Sequence, residues 1–219
     1  MIKDKKLFIT SIALLLLVIF LNLPFPNRWS LGETLLVSVG IPIRLEGGFQ
    51  MIGILILVFL IVGVSMLVKS LEMLQGRCAV FAIAIVLFAP GMLVGVYQES
   101  FAKGINAISY SEDTGTCHFE MTDETTHHGR CGLTFENHSG TASHFVVEFR
   151  EDRIFADDLP MVTLMNQEHS YEVKLNGKEQ QRVIFEADID VSEMDSHIDY
   201  GEAMGVNIKI SSKGKSRNL

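Results

Sequence analysis

Three histidines, His118, His127 and His128, lie close together in the chain with Asp123 and Glu124 among them, and these are side chains that ligate zinc. Their spacing argues against a metal centre. Neighbouring positions on a strand project to opposite faces, and no further ligand follows at helical spacing, so His127-His128 is expected at a solvated hairpin tip. A histidine ordinarily titrates at about pH 6.5, which leaves a pH response open at an exposed site.

A second cluster is acidic. Glu186, Asp188, Asp190, Glu193, Asp195, Asp199 and Glu202 put seven carboxylates in 17 residues. Oxygen ligands at that density can collect calcium, with Asp195 and Asp199 as candidates, but the ligand order and central glycine of an EF-hand loop are missing. Asp188 and Asp190 alternate with Ala187 and Ile189, which assigns them to the solvent face of a strand and the rest to an acidic loop. No metal site and no cofactor are expected from either cluster.

Nucleophilic catalysis has no better foothold. The chain lacks a Gly-x-Ser-x-Gly elbow, a cysteine beside an evident base and a glycine-rich phosphate loop, so no catalytic residue is assigned and the protein is not expected to be an enzyme. Cys117 and Cys131 suit a structural role. Each opens an alternating run, and a disulfide between them would close a loop of about 15 residues, stabilising by about 3 kcal/mol. Asn137-His138-Ser139 matches a glycosylation sequon, which implies an exposed turn.

The elements that must hold these residues divide sharply at about residue 97. Residues 1–97 carry 7 of the 18 Lys and Arg but only 4 of the 26 Asp and Glu, while all 7 His lie beyond them. The first part is therefore net +3 and the remainder net −11. That balance excludes one continuous core, and it excludes a nucleic-acid binder resting on general basicity.

Three uncharged apolar runs, at about 7–23, 51–68 and 78–97, are long enough to cross a bilayer as helices. The first could be a cleaved signal peptide, but Pro24-Phe25-Pro26 offers no small-residue cleavage site, so an uncleaved anchor is expected, with Trp29 at the interface. Lys3, Lys5, Lys6, Lys69 and Arg77 flank one side of the spans, against Arg28 and Arg44 on the other. This bias puts the N-terminus in the cytoplasm and everything after Tyr97 outside the cell membrane.

Ser30 and Glu33 have capping-box spacing and start a short interfacial helix at about 31–39. No ionisable residue interrupts a span, so nothing marks a transport path. Pro90 is expected to kink the third helix. Gly91 and Gly95 form a GxxxG pattern, suited to packing within the three-helix unit or to a membrane-protein partner or second copy.

Residues 98–116 lack a sustained period and read as a linker. From 117 to 212 the period becomes two, predicting about seven short strands, with a weak one at Val162 and Leu164. Asn176-Gly177 predicts a tight hairpin joining Tyr171–Leu175 to the run ending at Ile189. Consecutive antiparallel strands without helices imply an all-β sandwich of immunoglobulin-like or fibronectin-III-like architecture, and residues 213–219 read as a disordered basic tail. The expected whole is a multi-pass membrane protein presenting an extracytoplasmic binding module to a protein or envelope polymer. The alternatives are an accessory subunit of a larger membrane complex and, further off, a metal-dependent envelope enzyme.

Overall fold

A computed structural model describes residues 2–26, 29–41, 50–151, 161–167, 170–192 and 199–219. The chain divides into two units, Met1–Val96 and Tyr97–Leu219.

The first unit is helical. Helix α1 (Lys5–Leu21) starts at Asp4, whose carboxylate accepts the Lys6 and Leu7 N–H groups that the first turn leaves unbonded. Its hydroxyls stay within the helix: Thr10 donates to the Lys6 carbonyl and Ser11 to that of Phe8. In α2 (Leu31–Ser38) the capping box is formed in both directions, with Glu33 N–H on Ser30 Oγ and Ser30 N–H on Glu33 Oε2. Gly40, at φ 76°, follows its end.

Helix α3 (Met51–Ser70) runs antiparallel to α1, because Lys3 N–H donates to the Ser70 carbonyl and Ile2 pairs with Leu71. Gly63 permits their close approach: a Cβ there would lie 3.2 Å from Leu15 Cδ2. Helix α4 (Gln75–Ser100) continues through Pro90 and adds Ala82 and Val86 to a small cluster with Leu15, Val18 and Leu67. Among the described residues, α3 and α4 are long and apolar enough to cross a membrane, whereas α1 has 17 residues. Phe81, Leu87, Phe88 and Met92 are all more than 60% exposed, an apolar surface that water tolerates poorly.

The second unit is built from antiparallel sheets. The first contains β1 (Ile108–Tyr110), β2 (Thr116–Met121), β3 (Thr126–Asn137), β6 (Gln180–Asp190) and β7 (Tyr200–Met204). The long β3 pairs with β6 along one edge and with β2 and β1 along the other, and β7 adds to β2. The second sheet has the order β5-β4-β8-β9, from Tyr171–Leu175, Ser143–Arg150, Asn207–Ser212 and Lys215–Asn218. Alternation explains the core: Phe119, Leu133, Phe135 and Phe185 from the first sheet meet Phe145, Phe149, Ile208 and Ile210 from the second in one buried cluster.

Several expectations from sequence are corrected here. Asn176-Gly177 does not make a tight hairpin, because β5 pairs with β4 while β6 pairs with β3 in the other sheet. The residue with positive φ in that turn is Lys178, at 59°. Gly177 is needed for a different reason: a Cβ there would run into the backbone of Gly140 and Thr141. Gly177→Ala is accordingly expected to destabilise the β unit by about 1–3 kcal/mol, as overpacking does. Gly140→Ala, whose added Cβ meets nothing within 4 Å, is expected to shift the thermal midpoint little.

Val162 and Leu164 lie in a helical turn, α5 (Met161–Leu164), not in a strand. Residues 98–116 are not a bare linker: Ile105, Ala107 and Ile108 are buried, carried by a 3₁₀ turn and β1, which are too short to show a period. Residues 213–219 are not a disordered tail, since Lys215–Asn218 is β9 and Arg217 is 6% exposed. The sequon is not on an exposed turn. Asn137 is fully buried, and its side-chain amide donates to the Thr141 and Asn176 carbonyls.

Candidate binding surface

Cys117 and Cys131 face each other across the β2–β3 pair, both fully buried, and they are joined by a disulfide. The histidines beside them do not sit at a hairpin tip. The turn between β2 and β3 is closed by Asp123, whose Oδ1 accepts the N–H groups of Thr125 and Thr126. The Thr125 backbone bond and those of Thr126 hold this carboxyl below its ordinary range against slight desolvation. Asp190, at the end of β6, is lowered likewise by hydrogen bonds from Ser192.

His127 points into the core against Phe119, with ring centroids 5.9 Å apart. His128 points to solvent from the next position, so strand alternation separates the pair. Among the described residues, no group of three His, Cys, Asp or Glu is placed to hold a metal ion. Asp195 lies outside the described residues. Asp199 uses its backbone carbonyl to accept the Met121 N–H.

The register instead arranges the exposed chemistry in rows across four strands. One row reads Glu202, His118, Arg130, Glu186, from β7 through β2 and β3 to β6. The next reads Tyr200, Glu120, His128, Asp188. Complementary groups meet between neighbours: the Arg130 guanidinium Nε is 3.1 Å from the Glu186 carboxylate, and the imidazoles lie against carboxylates, His128 Nδ1 2.7 Å from Asp188 and His118 Nε2 3.8 Å from Glu202. Each is a solvent-facing cross-strand pair of modest energy.

The acidic run is therefore split. Glu186 and Asp188 lie on β6, whereas Glu202 lies three strands away on β7, about 14 Å at the usual strand spacing, too far to share one cation. Gly132, in the row beyond, leaves room for Arg182, whose guanidinium crosses it to donate to Thr116 Oγ1 at 3.2 Å. Exposed Met204 and Ile184 border the rows, and exposed Tyr200 ends one of them. Carboxylates outnumber cations on this face.

The opposite sheet has a different character, with Lys174, Arg150 and Lys209 on its outer side. Glu148 lies between Lys209 Nζ at 3.1 Å and Arg150 at 3.3 Å. Burial alone would raise its pKa, but the hydrogen bond and charge of Lys209, with help from Arg150, bring it below the usual carboxylate value.

In the helical unit, a Cβ added to Gly91 or to Gly95 meets nothing within 4 Å. These glycines therefore do not serve close packing inside the unit, which corrects one of the two roles expected for them. Trp29 is half-exposed. No family model, curated protein or solved structure matches the chain.

Proposed function

We propose that this is a multi-pass membrane protein, without enzymatic activity, that presents an extracytoplasmic β-sandwich as a binding module at the cell envelope. The observation that carries this reading is the pair of polar rows on the first sheet: a solvent-facing surface of carboxylates, histidines and Arg130 that ends at Tyr200, is bordered by Met204 and is backed by a buried apolar core. Tyrosine, methionine and arginine are enriched where proteins meet partners. The excess of carboxylates selects a protein segment or envelope polymer that carries cationic groups.

Membrane anchorage by three helices is supported by α3 and α4 and by the length of α1, whose 17 residues reach the lower end of the spanning range. The antiparallel α1–α3 pairing brings Lys3, Lys5 and Lys6 to the same end as Lys69, which supports a cytoplasmic N-terminus. The sandwich reading, fibronectin-III-like in particular, rests on the path of the chain. Strands β2-β3-β6 form one group and β5-β4-β8-β9 the other, and the chain changes sheet after β3, β5 and β7. The disulfide departs from the antibody pattern, because it joins neighbours in one sheet rather than the two sheets.

A photo-crosslinking residue at Tyr200, introduced into the full chain in intact cells, is expected to capture a defined partner. The same residue at Glu172 on the other sheet should not, and capture should fall about tenfold with Glu120→Lys and Asp188→Lys together. Equal capture from both faces, or capture indifferent to the charge reversals, would overturn the assignment of the surface. A β unit that external protease reaches only after the membrane is breached would overturn the orientation. A second reading, an accessory subunit of a larger membrane complex, is favoured by the open positions at Gly91 and Gly95, which allow another helix to approach α4 closely.

A further inference from the structure

The helical unit carries an open-sided cavity of about 430 Å³ that neither the polar rows nor helix packing explains, and its size lies in the range of small-ligand sites, about 300–1,000 Å³. Its polar lining comes from helix ends: Asn22 caps α1, Ser30 and Glu33 open α2, and Gln50 precedes α3. Its apolar lining comes from helix interiors, through Ile56 of α3 and Leu87 of α4. From Gln50 to Ile56 the wall descends about 9 Å along α3, from amide to hydrocarbon. A wall graded in this way matches a molecule with a polar head and an apolar tail.

Charge narrows the choice. Glu33 is the one ionisable side chain among the described lining residues, and its Oε2 is engaged by the Ser30 N–H and hydroxyl, with no cation paired to it. A carboxylate near a bilayer favours a cationic partner. The side-chain amides of Asn22 and Gln50 make no hydrogen bond among the described residues, and an amide can donate to a phosphate oxygen.

We propose that the cavity binds a phospholipid with a primary ammonium head group. The ammonium lies against Glu33, the phosphate accepts from Asn22 and Gln50, and one acyl chain follows Ile56 and Leu87. This inference rests on the membrane reading above.

The test uses the full chain extracted in polymer discs, with bound lipid classes quantified by mass spectrometry against the bulk membrane. Amine-headed phospholipid is expected to be enriched about fivefold, the scale of one modest ion pair, and to return to its bulk share in Glu33→Gln and Leu87→Trp. Glutamine at this position keeps the capping box, so Glu33→Gln removes charge without unseating α2. Enrichment unchanged in Glu33→Gln, or bulk-like lipid around the wild type, would overturn the proposal. Alkaline carbonate washing separates the two levels: protein released from membranes refutes the membrane reading, whereas retained protein with bulk-like lipid refutes the cavity's occupant alone.

Discussion

Deleting residues 215–219 is expected to destabilise the β unit by about 3–5 kcal/mol, a large part of the roughly 5–15 kcal/mol that holds a domain folded. Strand β9 closes the second sheet, and Leu219 exchanges backbone hydrogen bonds with Ile208. Arg217 reaches further. Its buried Nη1 donates to the carbonyls of Ile105 at 2.7 Å and Ile108 at 2.9 Å, tying the last strand to the turn that follows α4. Removing that nitrogen leaves two backbone acceptors without their charged donor.

Arg217→Met should reproduce most of the loss, and Arg217→Lys less of it, since a lysine keeps the charge but presents a differently placed donor. The measurement is thermal melting of the full chain in detergent, followed by circular dichroism in the strand region, because the sole tryptophan, Trp29, belongs to the helical unit. A midpoint within about 2 °C of wild type for Arg217→Met would sink the argument.

The same residue carries a pH signature of predictable sign. Burial lowers the Arg217 pKa to about 10, against a smaller opposing effect of Tyr97. Above about 10 the unfolded chain holds this proton more tightly than the folded one, so Arg217 adds stability as pH rises through that window. At neutral pH both states keep the guanidinium charged, and its contribution there is flat. Arg217→Met should abolish the alkaline gain.

Breaking the Cys117–Cys131 disulfide is expected to cost about 3 kcal/mol, the chain-entropy value for a loop of this length, and to lower the midpoint by about 10 °C. The double variant Cys117→Ala/Cys131→Ala is the cleaner comparison, because single replacement leaves a buried thiol with no partner. Both sulfurs are fully buried, so mild reductant should leave the native protein intact and act only once the β unit opens. A double variant as stable as wild type would show that the neighbouring core, not the bond, holds β2 and β3 together.

Much of the architecture was legible in the chain because it depends on local periodicity. Period two marked β2, β3, β4, β5, β6 and β8, since alternate residues of a half-buried strand must differ in polarity whatever their neighbours are. Ser30 and Glu33 announced α2, and apolar length announced α3 and α4. Strands β1, β7 and β9 were missed for want of such a signal: the first has three residues, β7 has no fully buried side chain, and β9 buries an arginine. A basic terminal stretch reads as solvated until a fold supplies carbonyls for it.

The candidate surface was legible only as a list of residue types. His118, His128, Asp188 and Glu202 all stood out, but alternation tells which face a side chain occupies and says nothing about which strand lies beside it. Pairing β6 with β3 rather than with β5 is a long-range choice, made where facing cores fit, and it alone put Arg130 beside Glu186 and His128 beside Asp188. His127 points inward because it shares the parity of Cys131, Leu133 and Phe135 along β3, and Asn137 is buried where its amide reaches the Thr141 and Asn176 carbonyls. The amino-acid order by itself thus determined the two kinds of secondary structure, the apolar helices and the faces of the strands, through forces acting over a few residues. Tertiary structure alone decided the neighbours, because hydrogen bonds and ion pairs between strands distant in the chain exist only after the whole core has closed.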